Sequence, residues 1–153
     1  TWDRTLEVNL TSVRRLLAAA IGFLRHGVDP TVLFVGSRNV AAPGPAAAAY
    51  SVSKAGLVQL ARVAALELAG DGIRVNLVHP DAVFDTGVWT PEALERSAAR
   101  YGLSVEEYRT RNLLRTTITA ADVGRLLSVM AGPAFRATTG AQVPIDGGND
   151  RVL

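Results

Sequence analysis

The sequence contains no cysteine, only two histidines and no long apolar run among its 153 residues. The lack of thiols excludes disulfides, thiolate metal sites and cysteine nucleophiles. His26 and His79 lie far apart, which argues against a histidine-based metal site, and His79, at the end of a predicted strand, is given no catalytic role. Without an apolar stretch of about 18 residues or a signal-peptide pattern, we expect a cytoplasmic protein with no metal and no membrane partner.

Lysine is almost missing as well. The sixteen cationic side chains comprise fifteen arginines and one lysine, Lys54. The net charge is only +2 and no basic tract occurs, so no nucleic-acid partner is expected. Arginine cannot replace lysine where a compact charge or a shiftable pKa is needed. The single lysine therefore marks position 54 as a candidate functional site.

Apolar periodicity predicts the secondary structure. Apolar residues at three- and four-residue spacing predict helices over residues 3–26, 46–69, 91–100, 105–112 and 120–130. Short β-branched runs predict strands over residues 31–36, 73–78 and 142–145, the first of them buried on both faces. Strands that alternate with helices indicate an α/β fold built on a doubly wound parallel sheet.

The stretch from Thr31 to Lys54 carries the candidate chemistry. Its strand delivers Ser37 at the carboxyl end, and the following helix opens with Tyr50 and Lys54, which share one helix face because they are four residues apart. A phenol has a pKa near 10, and a nearby ammonium lowers that pKa. Tyr50 would then exchange a proton with an alcohol or carbonyl oxygen, and Ser37 would hold the same oxygen.

These residues, together with Asn9, make the chain resemble the short-chain dehydrogenase/reductase family over essentially its whole length. Asn9 lies 28 positions before Ser37, Ser37 lies 13 before Tyr50, and the C-terminal part reads Thr-Gly-x-x-x-x-x-Asp-Gly-Gly. The resemblance implies a Rossmann-like sheet, here partial, and NAD(P)-dependent interconversion of an alcohol and a carbonyl by hydride transfer. It also implies that Lys54 holds the nicotinamide ribose and that Asn9 holds a water of a proton relay.

Further positions follow from the same resemblance. Pro80 occupies the family's Pro-Gly position, where Asp81 replaces the glycine, and the segment through Val83 is expected to contact NAD or NADP. Trp89 is expected either as a wall of the substrate pocket or as a packing residue. Two roles are open for the five arginines of residues 85–115: contact with an anionic substrate and, as we mainly expect, the solvated faces of two short helices. Taken singly, each catalytic candidate has an ordinary structural alternative, so the prediction rests on the four together.

The resemblance also raises the question of a missing part. In the family, a glycine-rich turn between a strand and a helix cradles the pyrophosphate, and no glycine cluster here has that position. A three-stranded sheet with an apolar outer strand at residues 31–36 would expose an aggregation-prone edge. We therefore expect residues 1–153 to be the C-terminal portion of one domain whose N-terminal dinucleotide-binding half is absent.

Two finer expectations remain open. Pro-Asp-Ala-Val at residues 80–83 and the sequence of residues 101–114 resemble the dehydrogenase half of bifunctional rhamnulose-1-phosphate aldolase/alcohol dehydrogenases, which implies a small hydroxyaldehyde or sugar-derived substrate. The alternative is a truncated, inactive fragment that serves only as an association module. In either case the family implies a homo-oligomer formed through helices 3–26 and 46–69.

Overall fold

The computed structural model describes residues 1–149, which build a three-stranded parallel sheet in the order β1-β2-β3. The strands are β1 (Thr31–Val35), β2 (Arg74–Pro80) and β3 (Gln142–Ile145). β2 is the central strand and is buried along nearly its whole length. β1 lies at the edge, and only Phe34 in it is buried. The expected α/β parallel sheet and the outer position of β1 are confirmed, whereas burial of β1 on both faces is wrong.

Helices cover both faces of this sheet. They are α1 (Trp2–Leu6), α2 (Ser12–Leu24), α3 (Ala48–Leu68), α4 (Pro91–Arg100), α5 (Val105–Arg109) and α6 (Ala120–Ala131), and a π-helical segment (Glu7–Thr11) joins α1 to α2. The main apolar core lies between α3 and the face of β2 that presents Val75 and Leu77, and α2 packs behind it. Alternate residues of a strand point to opposite faces, so Arg74 and Asn76 face α6 and the turn before β3.

Several predicted boundaries are wrong, and contacts in the fold explain two of them. β2 continues to Pro80, since its last residues pair with Pro144 and Ile145 of β3. α5 ends at Arg109 because the Asn112 side chain closes a turn with both the N–H and the carbonyl of Thr116. The first helix contains the π segment and ends at Leu24.

Across residues 1–149, no helix combines the length and the apolar character needed to cross a bilayer.

Two buried polar residues of β2 attach β3 to the sheet. The Arg74 guanidinium donates to the carbonyls of Met130, Ala131 and Phe135 and pairs with Asp29 at 3.3 Å. Asn76 donates to the Thr138 carbonyl and accepts from the backbone N–H of residue 141. Both side chains satisfy backbone groups that would otherwise be buried unpaired, a situation that costs about 1–3 kcal/mol per group. They thereby hold the turn that leads into β3.

The end of β3 contacts the segment between α5 and α6. Gly147 has a positive φ of 63°, and a Cβ added to it would lie 2.5 Å from Cγ of Asn112. The Leu114 N–H also donates to the Gly147 carbonyl at 3.1 Å. The glycine of this Asp-Gly-Gly sequence is therefore required by a close approach of the segment after α5, which closes one side of the site described next.

Candidate active site

A cavity of about 530 Å³ opens at the carboxyl ends of β1 and β2. Parallel α/β sheets bind ligands at this end of their strands, and the volume lies within the range of about 300–1,000 Å³ typical of ligand sites. All but one of the site residues predicted from the sequence line it, namely Ser37, Tyr50, Lys54, Pro80, Asp81, Val83 and Trp89. Asn9 is the exception.

Ser37 is held in place directly after β1. The N–H of Gly36 continues the sheet by donating to the Val78 carbonyl at 2.8 Å, and Ser37 itself is extended and only 7% exposed. Its Oγ accepts from the N–H of Asn39 at 3.1 Å. A hydroxyl has one proton and two lone pairs, so this bond leaves the Ser37 proton available for an oxygen in the cavity.

Tyr50 and Lys54 lie on one face of the first turns of α3, as their spacing predicts. Nζ of Lys54 lies 5.9 Å from the centroid of the Tyr50 ring and donates to the Val35 carbonyl at 2.9 Å. Partial burial lowers the pKa of Lys54, because removal from water disfavours the charged ammonium. Two of the three ammonium protons remain for ligand oxygens. The ammonium thus lies beside the Tyr50 ring.

Asn9 supports this helix from behind the cavity. Its Nδ2 donates to Oγ of Ser53 at 3.0 Å, and that hydroxyl donates to the Tyr50 carbonyl at 2.7 Å. The π segment that contains Asn9 approaches α3 closely, since a Cβ on Gly56 would lie 2.9 Å from Cδ2 of Leu10. π segments are rare and occur frequently at functional sites. The structure thus connects Asn9 to the backbone of Tyr50, and its role in a water relay stays a prediction.

Asp81 is engaged by three side chains. Its carboxylate accepts from Asn149 at 2.5 Å and lies 3.9 Å from both Nε of Arg38 and Nη2 of Arg111. The Arg111 guanidinium also stacks on the ring of Tyr108 at 4.3 Å. The carboxylate therefore ties the end of β2 to the segment after α5. These three polar partners explain how an acidic residue is accommodated where the family has glycine.

The segment over the cavity contains a small aromatic core. The ring of Trp89 lies 5.0 Å from Phe84 and 6.2 Å from Tyr108 between centroids, and Trp89 also lines the cavity. Both alternatives for Trp89 are thus realised together. Arg109 and Arg111 are half-buried against rings of this cluster, so the expectation of solvated arginines is wrong for these two. Arg96, Arg100 and Arg115 are exposed as predicted.

Sequence reasoning missed two polar residues at this end of the sheet. His79 was given no role, yet its ring lies beside the carbonyl of Ser37. Gln142, the first residue of β3, lies on the other side of that ring. The available signal was a histidine at the end of the predicted strand, one residue before the segment expected to contact the cofactor.

Comparison with known proteins places this geometry in a family. A family model described as enoyl-(acyl carrier protein) reductase matches residues 1–150. An uncharacterized oxidoreductase of Bacillus subtilis, YuxG, is 38% identical over 153 residues, which are 96% of this chain and 22% of that protein. An uncharacterized NAD-dependent oxidoreductase of Mycobacterium tuberculosis, Rv0687, is 31% identical over 96% of this chain and 54% of its own length. The chain thus spans about a fifth to a half of these relatives.

Solved structures agree with the fold. An NADPH-bound short-chain oxidoreductase from Pseudomonas aeruginosa superimposes with a TM-score of 0.85 at 26% identity, covering 99% of this chain and 58% of that one. A short-chain dehydrogenase family protein from Francisella tularensis gives a TM-score of 0.81 at 27% identity, covering 95% and 60%. With the family model, the relatives and the cavity residues in agreement, the chain belongs to the short-chain dehydrogenase/reductase family.

Proposed function

We propose that this chain is the catalytic part of an NAD(P)-dependent oxidoreductase that interconverts an alcohol and a carbonyl compound. One observation carries the proposal: Ser37, Tyr50 and Lys54 line a single cavity, with the ammonium 5.9 Å from the phenol ring. This is the arrangement needed to exchange a proton at a substrate oxygen near neutral pH.

The residues present fit the nicotinamide end of the cofactor. Lys54 has ammonium protons left for the hydroxyls of a ribose, and Tyr50 stands beside it. Pro80, Asp81 and Val83 line the same cavity and offer backbone groups to the carboxamide. Because the Asp81 carboxylate and the Asp81 backbone N–H are both already engaged, its backbone carbonyl would make that contact. When bound, NAD or NADP supplies or accepts the hydride.

Each of the four predicted catalytic residues has a separate task in the proposed reaction. Ser37 donates a hydrogen bond to the substrate oxygen and so orients the reacting carbon. Tyr50 gives its phenol proton to a carbonyl oxygen in reduction, and as the phenolate it takes the proton of an alcohol in oxidation. Lys54 stabilises this phenolate electrostatically. Asn9 maintains the first turn of α3 through Ser53 and, as in the family, would hold a water that connects Lys54 to solvent.

We further infer that residues 1–153 form the C-terminal portion of one domain and that the activity belongs to a longer polypeptide. Two observations support this. Among the strands of residues 1–149, β1 pairs only with β2 and leaves its other edge open. The chain also covers only 22% and 54% of the relatives named above. The missing half would supply the glycine-rich turn that anchors the pyrophosphate.

We propose the subfamily from the resemblance of residues 80–83 and 101–114, and the length of one relative is compatible with it. YuxG is several times longer than this chain, which leaves room for a second domain such as a sugar-phosphate aldolase. Within a bifunctional rhamnulose-1-phosphate aldolase/alcohol dehydrogenase, the substrate would be a small hydroxyaldehyde or a sugar-derived alcohol. A cavity that combines the polar Ser97 and Arg100 with the apolar Trp89 suits such a substrate.

We also propose association into a homo-oligomer through helices 3–26 and 46–69. Large apolar side chains on these helices are open to solvent, with Leu16 70%, Phe23 83% and Leu66 82% exposed. Leu16 and Phe23 are seven residues apart and therefore share one helix face. An exposed apolar face of this kind is compatible with a catalytically active homo-oligomer and also with the association-only alternative. Sedimentation of Phe23→Ser beside the unmodified chain tests it, since loss of the oligomer is expected only if this face is used.

The test of function uses the full-length protein. It is incubated with lactaldehyde and with NAD or NADP, and the reduced nicotinamide is followed by its absorbance. A second reaction with propanol, which lacks the adjacent carbonyl, reports how far the cavity selects hydroxyaldehydes. Cofactor-dependent turnover supports the proposal, and its absence with every alcohol and carbonyl compound tested would overturn it.

A further inference from the structure

Both ring nitrogens of His79 are hydrogen-bonded, and the first of these bonds is to Ser37, the residue that carries the reactive hydroxyl. Nδ1 of His79 lies 2.9 Å from the backbone carbonyl oxygen of Ser37. A carbonyl oxygen can only accept, so Nδ1 must bear a proton. The ring also lies against the chain just before Ser37, because a Cβ on Gly36 would stand 2.9 Å from this same nitrogen.

The second bond fixes the protonation of the ring. Nε2 of His79 lies 3.1 Å from the side-chain amide of Gln142. The amide orientation that satisfies its neighbours points its oxygen at Arg62, with Nε at 2.9 Å and Nη2 at 3.0 Å, and its nitrogen at His79. A guanidinium can only donate, so Arg62 dictates the direction of the amide. The amide then donates to Nε2, which must be the unprotonated nitrogen.

The four groups form one directed chain of hydrogen bonds from α3 to the end of β1. Arg62 donates to Gln142, Gln142 donates to His79, and His79 donates to the Ser37 carbonyl. Ser37 is then held by four hydrogen bonds: two to its carbonyl, from His79 at 2.9 Å and from the Val40 N–H at 3.1 Å, one to its Oγ from Asn39 at 3.1 Å, and the sheet bond of the preceding Gly36. The hydroxyl that points into the cavity therefore sits on a backbone whose carbonyl direction is set by His79 together with the Val40 N–H.

We propose that His79, kept in its Nδ1–H tautomer by Gln142 and Arg62, is a positioning residue that orients Ser37 for the substrate oxygen. The imidazole is absent from the residues that line the cavity, so it acts through Ser37 rather than on the substrate. The proposal rests on the role of Ser37 in the proposed function. Its two parts, a defined tautomer and an effect on turnover, are measured separately.

The tautomer is measured by long-range ¹H–¹⁵N NMR of the full-length protein at a pH where the ring is neutral. His79→Asn identifies the His79 signals as those that disappear from the spectrum. The expected result is the Nδ1–H pattern for His79. An Nε2–H pattern, or a mixture of the two tautomers, overturns the directed chain of hydrogen bonds.

The effect on turnover is measured with two amide substitutions. His79→Asn places an N–H near the position of Nδ1 and can still donate to Ser37, whereas His79→Gln places its amide near Nε2 and cannot. We expect kcat to fall about 10- to 100-fold in His79→Gln, to recover most of that loss in His79→Asn, and the KM for the cofactor to stay nearly unchanged in both. A role in packing alone would instead make both variants lose stability together, and equal kcat values in the two would overturn the positioning role.

Ser37→Ala separates this proposal from the function on which it rests. A large fall of kcat in Ser37→Ala with no difference between His79→Asn and His79→Gln rejects the positioning role and leaves the proposed function standing. Full turnover in Ser37→Ala rejects the role of Ser37 and the positioning role with it. The tautomer experiment gives its answer in either case, since it needs no substrate.

Discussion

Nζ of Lys54, the sole lysine of the chain, lies 5.9 Å from the centre of the Tyr50 ring and donates to the last carbonyl of β1. The pair connects the start of α3 to the end of the strand that presents Ser37. A compact ammonium can make this bond and still offer two protons to a ligand. A planar guanidinium at the same place would be too large for both tasks, which explains a lysine in a chain otherwise rich in arginine.

The pKa of Lys54 is expected to lie below its ordinary value, because the ammonium is partly removed from water. Protein labelled with ¹³C-lysine gives one side-chain signal from this chain, so its NMR titration reports Lys54 directly. Between the folded and the unfolded pKa the unfolded state binds more protons, so stability should rise with pH across that interval. A midpoint at or above that of the unfolded chain would contradict the described burial.

Asp81→Ala should loosen the segment between α5 and α6. The substitution removes the carboxylate that joins Arg38, Arg111 and Asn149, and we expect a loss of about 1–3 kcal/mol in the free energy of unfolding. Amide hydrogen exchange over residues 105–112 should become faster. The exposed Glu95→Ala is the matched control, and equal exchange in the two variants would show that the carboxylate does not hold this segment.

Arg74→Met should destabilise the fold without touching the cavity. It leaves the carbonyls of Met130, Ala131 and Phe135 without their donor, and the expected loss in urea unfolding is about 3–5 kcal/mol. Arg136→Met, at an exposed position nearby in the fold, should change stability by less than about 0.5 kcal/mol. Similar values for the two variants would contradict the structural role of Arg74.

Thr119→Ala should raise the pKa of Asp122. The Thr119 hydroxyl and N–H both donate to the Asp122 carboxylate at the start of α6 and lower its pKa. A lowered folded pKa gives stability that is present above the unfolded pKa and is lost as pH falls through the folded pKa. NMR titration of the carboxyl checks the shift, and Ser104→Ala, which acts on Glu107 in the same way at α5, should leave Asp122 unchanged.

The fold was predictable from the sequence where the signal is local. The apolar periodicity located α4 at its observed bounds and α6 to within one residue of its observed end. Prediction failed where a distant partner decides the outcome. β2 extends to Pro80 because β3, more than 60 residues later, pairs with it.

The same distinction between local and long-range contacts applies to the residues of the site. Tyr50 and Lys54 meet because an α-helix brings residues four apart together, and Ser37 meets them because strands deliver residues at their carboxyl ends. The partners of the supporting residues are remote in sequence: Ser53 is 44 positions from Asn9, and Asn149 is 68 positions from Asp81. No periodicity reports such pairs, so these contacts required the structure.

The central claim is that Tyr50 exchanges the proton while the nicotinamide cofactor exchanges the hydride. It is tested most directly by Tyr50→Phe in the full-length protein, with hydride transfer followed in a single turnover and NADH affinity measured by fluorescence titration. Phenylalanine keeps the ring beside Lys54 and removes only the hydroxyl. The account predicts loss of hydride transfer by about 100-fold or more with cofactor affinity nearly intact. Turnover at the rate of the unmodified enzyme, with NADH bound equally well, would contradict it.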